Sequence, residues 1–167
     1  MAVDSAGGPV TLEPLGLSLG LAEPPVPPPS DPEARYFAST GHTLYTGFVT
    51  AYDDLGGEAL AGPPIAEVSF AGGLITQAFE NLALYRESNA APSEVHLLAL
   101  GLATAPEHQR QVAGAVLPSI HARPFALFLD QFGGEAVFGQ ALTDPRPGPD
   151  GSLEQVYERA ALFAPKD

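Results

Sequence analysis

The residues with the widest chemical repertoire are four histidines, His42, His96, His108 and His121. No two of them have the i, i+4 spacing that puts two metal ligands on one helix face, and no Asp-x-Asp-x-Asp-Gly loop is present for calcium. His42 ends the turn Ser39-Thr40-Gly41-His42, where a ring either ties the turn to the backbone or meets a ligand. Ser39 and Ser119 lie in no nucleophile frame, and the chain has no Gly-x-Ser-x-Gly. Without cysteine there is no thiolate, disulfide or Cys nucleophile. Two pairs of carboxylates, Glu58 with Glu135 and Glu80 with Glu158, have the residue type that a glycoside hydrolase needs for its acid and base. Each pair, however, occupies matching places in two similar stretches, where equivalent scaffold positions are the simpler reading. Four tyrosines, Tyr45, Tyr52, Tyr85 and Tyr157, have rings that stack on sugars or pack in a core. The candidate ligand-binding set is His42, Tyr45, Tyr85, Tyr157 and Arg159, with no catalytic residue, metal ligand or cofactor expected.

These side chains must be positioned by a chain rich in breaks. It has 167 residues with 18 Gly and 18 Pro, and hydrophobic residues make up 45%. A core is affordable, but helices should be short and turns many. The formal net charge is −13, from 7 Lys+Arg against 20 Asp+Glu. Nucleic acid and anionic membrane surfaces both need basic patches, so neither is an expected partner. No window is apolar enough for a membrane span, and residues 1–30 lack a signal-peptide pattern.

The clearest internal order is a duplication. Leu55-Gly56-Gly57-Glu58-Ala59-Leu60-Ala61-Gly62 is echoed by Phe132-Gly133-Gly134-Glu135-Ala136-Val137-Phe138-Gly139, 77 residues on. Before each lies a helical face: Phe48, Val49, Tyr52 and Leu55 in the first, Phe125, Phe128, Leu129 and Phe132 in the second. Gly56 and Gly133 sit where a helix ends in the left-handed conformation, and the segments after the Gly pairs read as strand-like. Both glycine pairs follow helices and do not open them, so neither is a phosphate loop. Ile65–Phe70, a Gly72-Gly73 turn and one strand over Leu74–Tyr85 follow, matched later by one strand over Leu153–Phe163. Thr104 and Glu107 make a capping box for a helix to about Leu117.

Val10–Leu17 resembles Val95–Leu102, and both read as strands. The second copy lacks a strand after its hairpin, so the first stretch either supplies it or is the tail of a lost upstream repeat. Between, Pro24, Pro25, Pro27, Pro28, Pro29 and Pro32 form a stiff polyproline II stretch, a spacer or an SH3-type ligand.

Tyr36-Phe37-x-x-Thr40-Gly41-His42-x-Leu44, then Gly56-Gly57, Gly62-Pro63 and Gln77-x-Phe79-Glu80, resemble the repeat modules of secreted Chloroflexi-type surface proteins. Their pattern is similar to the LGFP repeats of cell-wall proteins. Val137-Phe138-Gly139 and Gln155-Val156-Tyr157-Glu158-Arg159-Ala160 fit its second half. Departures are Ala61 before Gly62, Asn81, Gln140, and a second copy without Thr-Gly-His. The resemblance implies an exported, non-catalytic envelope module. The expected architecture is α+β: two repeated units of short helix plus β-hairpin sharing one core, with a Pro-rich N-terminal arm. Its parts are an N-terminal strand segment over 1–22, a linker over 23–34, repeat 1 over 35–103, a connecting helix over 104–121 and repeat 2 over 122–164. The expected function is to bind a surface glycan or protein partner, at the cell surface or outside the cell. The alternatives are a subunit of a surface filament or larger complex, with possible self-assembly, and a glycan hydrolase using the duplicated glutamates.

Overall fold

The computed structural model describes residues 9–104 and 123–166, which form mixed α and β structure in two compact units. One is continuous, over residues 14–100. The other is split, its described residues being 9–13, 101–104 and 123–166. Glu107, the expected connecting helix beyond Thr104, His108, Ser119 and His121 lie outside the described residues.

In the continuous unit the chain opens with helix α1 (Leu15–Ser18), then a hairpin of strands β2 (Tyr36–Phe37) and β3 (His42–Thr43). A 3₁₀ turn (Thr46–Phe48) leads into helix α2 (Val49–Asp54), which buries Phe48 and Tyr52. Gly56 ends it at φ 90°, as a helix terminus with no Cβ to strain. The next residues form a second helix, α3 (Gly57–Ala61), not the expected strand-like segment. Gly57, at φ 60°, takes a left-handed conformation that residues with a Cβ rarely adopt, and Pro63 bars the helix from continuing.

A four-stranded antiparallel sheet completes this unit in the order β4 (Ser69–Ala71), β5 (Leu74–Ala78), β6 (Ala83–Glu87), β7 (His96–Leu97). Gly72 and Gly73, at φ 59° and 78°, make the two-residue turn between β4 and β5. The strand expected over Leu74–Tyr85 is two strands, folded back at Phe79-Glu80-Asn81-Leu82, where Phe79 N–H donates to the Leu82 carbonyl at 2.8 Å. The alternation carries on through that turn, which contains no Gly or Pro, so the break had no sequence punctuation. Likewise Val95–Leu102 is not one strand: β7 is followed by helix α4 (Leu100–Thr104), at the boundary of the two units.

The split unit has helix α5 (Arg123–Phe132), then Gly133 at φ 93° and helix α6 (Gly134–Phe138). Phe125, Phe128, Leu129 and Phe138 are buried. Its sheet has the order β1 (Thr11–Leu12), β10 (Ala161–Ala164), β9 (Leu153–Val156), β8 (Arg146–Pro147). The expected strand over Leu153–Phe163 again folds back, at Tyr157-Glu158-Arg159-Ala160, with Tyr157 N–H donating to Ala160 at 2.8 Å. Glu158 and Arg159 therefore stand in a turn. Val10–Leu17 likewise breaks after two strand residues into α1. Thr11 pairs with Phe163 and Leu12 with Leu162, and Glu13 N–H donates to the Ala161 carbonyl at 2.8 Å. In the continuous unit Leu98 N–H donates to Ala83 at the same distance.

The glycines of α1 and α4 sit against backbone. A Cβ on Gly16 would collide with the Phe79 carbonyl oxygen, and one on Gly101 with that of Tyr157. Buried amides lock each sheet to its loops. Gln77 donates to the Thr43 and Ala66 carbonyls at 2.8 and 3.0 Å and accepts from Tyr45 N–H at 2.9 Å. Gln155 donates to Thr143 at 3.0 Å and accepts from the Tyr157 hydroxyl at 3.0 Å. The Pro-rich stretch is bonded to the continuous unit over its first residues: Glu23 N–H to Ile65 O, Val26 N–H to Gly41 O and Tyr36 OH to Val26 O, at 2.8, 2.8 and 2.9 Å.

Candidate functional site

A cleft of about 500 Å³ opens on the continuous unit between the β2 strand and the α2–α3 joint, lined by Arg35, Tyr36, Phe37, Ala38, Ser39, Tyr52, Asp53, Gly57 and Glu58. Its geometry follows from the two elements that meet there. Arg35 precedes β2, and its carbonyl accepts Leu44 N–H at 2.9 Å, which fixes the backbone from which the guanidinium projects. On α2, Tyr52 faces the core and the next residue, Asp53, faces solvent. The Tyr52 hydroxyl donates to the Gly62 carbonyl at 3.0 Å, so its ring cannot turn away. The Phe37 ring meets it edge-on at 6.1 Å.

Arg35 spans these parts. Its two terminal nitrogens donate to the two Asp53 carboxylate oxygens at 2.6 and 3.0 Å, and its guanidinium carbon lies 5.9 Å above the Tyr52 ring. The hydrogen bond from Arg35 holds the Asp53 carboxyl below the ordinary carboxylate range, against a smaller opposing effect of desolvation. The same bond raises Arg35 further. Neither group exchanges a proton near neutrality, so the pair is a fixed arrangement of donors and acceptors and not an acid–base couple. Burial first, and the Glu58 charge second, push the Tyr52 phenol up to about 12.

A second cleft, of about 540 Å³, lies on the split unit between Glu13, Gly148, Pro149, Asp150, Ser152, Glu154 and Phe163. The Ser152 hydroxyl and N–H hold Asp150 low, whereas desolvation and then Glu154 raise Glu13. Among the described residues no group of three His, Asp or Glu side chains is placed to hold a metal ion.

The structure does not gather the five ligand candidates read from the sequence. His42 is 1% exposed; its Nε2 lies 3.1 Å from the Glu23 carbonyl and its Nδ1 3.2 Å from the Glu67 carboxylate, which also accepts from Thr43 N–H. His42 thus ties the end of the β2–β3 turn to the start of the Pro-rich stretch. Tyr45 is half-buried, edge-on to Phe48 and Phe70. Tyr85 lies against the exposed His96 ring at 5.6 Å, across the β6–β7 pair. In the split unit Tyr157 is fully buried, its phenol pushed up by desolvation and secondarily by Glu135. Arg159 donates to the Ala136 and Val137 carbonyls, both at 3.0 Å, satisfying the end of α6. Asn81 does the corresponding work on the Leu60 carbonyl of α3, at 2.7 Å.

Sequence reasoning missed Arg35, Asp53 and Glu58 as a site. The available signal was thin: Arg35 beside Tyr36-Phe37 is one of only seven basic residues in the chain. Its partner is 18 residues away, and nothing local links them. Glu80 and Glu158 stand in the two hairpin turns, their stems packed where a Cβ on Gly62 or Gly139 would fall, and Glu158 accepts Gln140 N–H at 3.2 Å. Among the described residues no helix is long and apolar enough to cross a membrane. Comparison of the chain with protein-family models, with curated proteins and with solved structures gives no match.

Proposed function

We propose that this protein is a non-catalytic binding module of the cell envelope, exposed at the cell surface or outside the cell, that holds a surface glycan or protein partner through the Arg35–Asp53 cleft. The observation that carries this is the exposed bidentate pair itself. Both side chains are more than two-fifths exposed, at 42% and 49%, a setting in which an ion pair adds little to stability. Aromatic rings nonetheless fix its orientation, as a recognition surface requires.

In this reading the two units are copies of one module of helix, Gly-Gly joint, short helix and hairpin, related to secreted surface-protein and LGFP-type repeats. Matching bonds support it: Glu80 N–H to Pro63 O and Glu158 N–H to Gln140 O, each at 3.1 Å, and Asn81 N–H to Ala61 O and Arg159 N–H to Phe138 O, each at 3.0 Å. The duplicated glutamates then hold matching scaffold positions, which favours binding over glycan hydrolysis. The filament-subunit reading has one specific support, the fully exposed strand β4 with Phe70 at 65% exposure, an edge open to another strand.

The test is co-sedimentation of the purified chain with cell wall from the producing organism. Retention with no release of reducing sugar supports the proposal. A chain that stays in the supernatant, or wall that is degraded, contradicts it.

A further inference from the structure

From the chemistry of the cleft we infer that its ligand is an uncharged, hydroxyl-rich saccharide, bound once per chain; this rests on the envelope-binding reading above. Three features select that class. First, the Arg35–Asp53 fork has hydrogen-bonding capacity left over. The guanidinium retains N–H donors and each carboxylate oxygen retains a lone pair after the two bonds at 2.6 and 3.0 Å. Unused donors on Arg35 therefore lie beside unused acceptors on Asp53, which suits adjacent sugar hydroxyls because each hydroxyl both gives and accepts a proton.

Second, the charge balance rejects anions. One guanidinium is set against the carboxylates of Asp53 and Glu58, on a chain of formal charge −13. A uronate or phosphate polymer would meet net repulsion there. A simple cation is poorly served too, because Asp53 is already neutralised by Arg35 and only the exposed Glu58 is left. Third, the half-buried Tyr36 and Phe37 supply apolar edges beside the polar fork, as the C–H faces of a sugar ring need. The volume, about 500 Å³, falls within the roughly 300–1,000 Å³ of ordinary small-ligand sites.

The site belongs to one unit. In the split unit Leu129, 4% exposed, stands at the place of Tyr52 by the 77-residue offset, and in the sequence Val112 stands at the place of Arg35, so neither the ring nor the guanidinium is repeated at those positions. One ligand per chain follows, whatever the similarity of the two units.

The experiment uses polysaccharide released from cell wall of the producing organism, separated by anion exchange into uncharged and anionic fractions. Each is titrated calorimetrically into the whole chain and into Asp53→Asn, Arg35→Met and, outside the cleft, Leu127→Ala at a side chain 64% exposed on the split unit. The uncharged fraction is expected to bind with one site per chain. Asp53→Asn and Arg35→Met should each weaken it about tenfold or more, the scale of losing a hydrogen bond to a charged group, and Leu127→Ala should leave it unchanged. Binding confined to the anionic fraction, no binding of the uncharged fraction, or uncharged binding indifferent to both cleft variants overturns the inference. So does retention by wall that vanishes once the wall is stripped of protein by protease. In each of those cases retention on whole wall still stands or falls separately: a chain that sediments with wall but ignores the uncharged fraction loses only its ligand class, whereas one that never sediments loses the envelope reading.

Discussion

Thr11 is paired with Phe163 across an antiparallel ladder, so the first strand of the described chain lies beside the last. Two residues suffice because Leu12 is 5% exposed and anchors the strand in the core of the split unit. Leu12→Ala is expected to cost about 2–5 kcal/mol, the usual range for emptying a buried leucine site. Deletion of residues 1–12 should cost at least as much. Urea unfolding followed by circular dichroism measures both; a midpoint unchanged by the deletion would show that the strand closes nothing.

Gly16 and Gly101 should resist the smallest possible enlargement. A methyl group on either meets a backbone carbonyl oxygen, which cannot swing aside as a side chain can. Gly16→Ala and Gly101→Ala are each predicted to destabilise by about 1–3 kcal/mol. Gly20→Ala, at φ 72° in open space, tests strain without collision and should cost less than Gly16→Ala. Thermal unfolding of the three variants ranks them.

Arg86 is 9% exposed, and its Nε has no hydrogen-bond partner. A sealed donor costs about 1–3 kcal/mol relative to one that is bonded, and an apolar side chain of similar length carries no such penalty. Arg86→Met is therefore expected to raise the unfolding midpoint. A lower midpoint would mean that the guanidinium is better satisfied than its surroundings indicate.

Tyrosine ionisation gives a pH signature. Burial raises the Tyr52 phenol from 10.0 to about 12, and raises Tyr157 as well. A raised folded value means that the neutral phenols favour the folded state below the unfolded value. That contribution is lost as pH rises towards the folded value. Between those values, unfolding the chain with urea should increase phenolate absorbance, and Tyr52→Phe and Tyr157→Phe should each shrink the increment. An increment unchanged in both variants would contradict their burial.

Parts of this architecture were legible because they depend on local chemistry. Gly56 and Gly133 were readable as helix ends, because only glycine takes the left-handed conformation without strain, and Gly72-Gly73 as a hairpin turn. The folds at Phe79–Leu82 and Tyr157–Ala160 were not, since those turns carry no Gly or Pro of their own and their middle N–H groups donate to the distant carbonyls of Pro63, Ala61, Gln140 and Phe138. Strand-like alternation at Val10–Leu17 and Val95–Leu102 conceals a switch to helix that backbone packing of Gly16 and Gly101 imposes. The cleft was the least visible part. The sequence places Tyr52 on a helix face, and only the β2–β3 hairpin brings Arg35 over it and onto Asp53.

The most direct measurement is co-sedimentation of the chain with whole cell wall of the producing organism, run beside the double variant Arg35→Met, Asp53→Asn at matched folded content. The account predicts that the chain is retained and the double variant is not. Equal retention of both, or retention of neither, would contradict the Arg35–Asp53 cleft as the binding site of an envelope module.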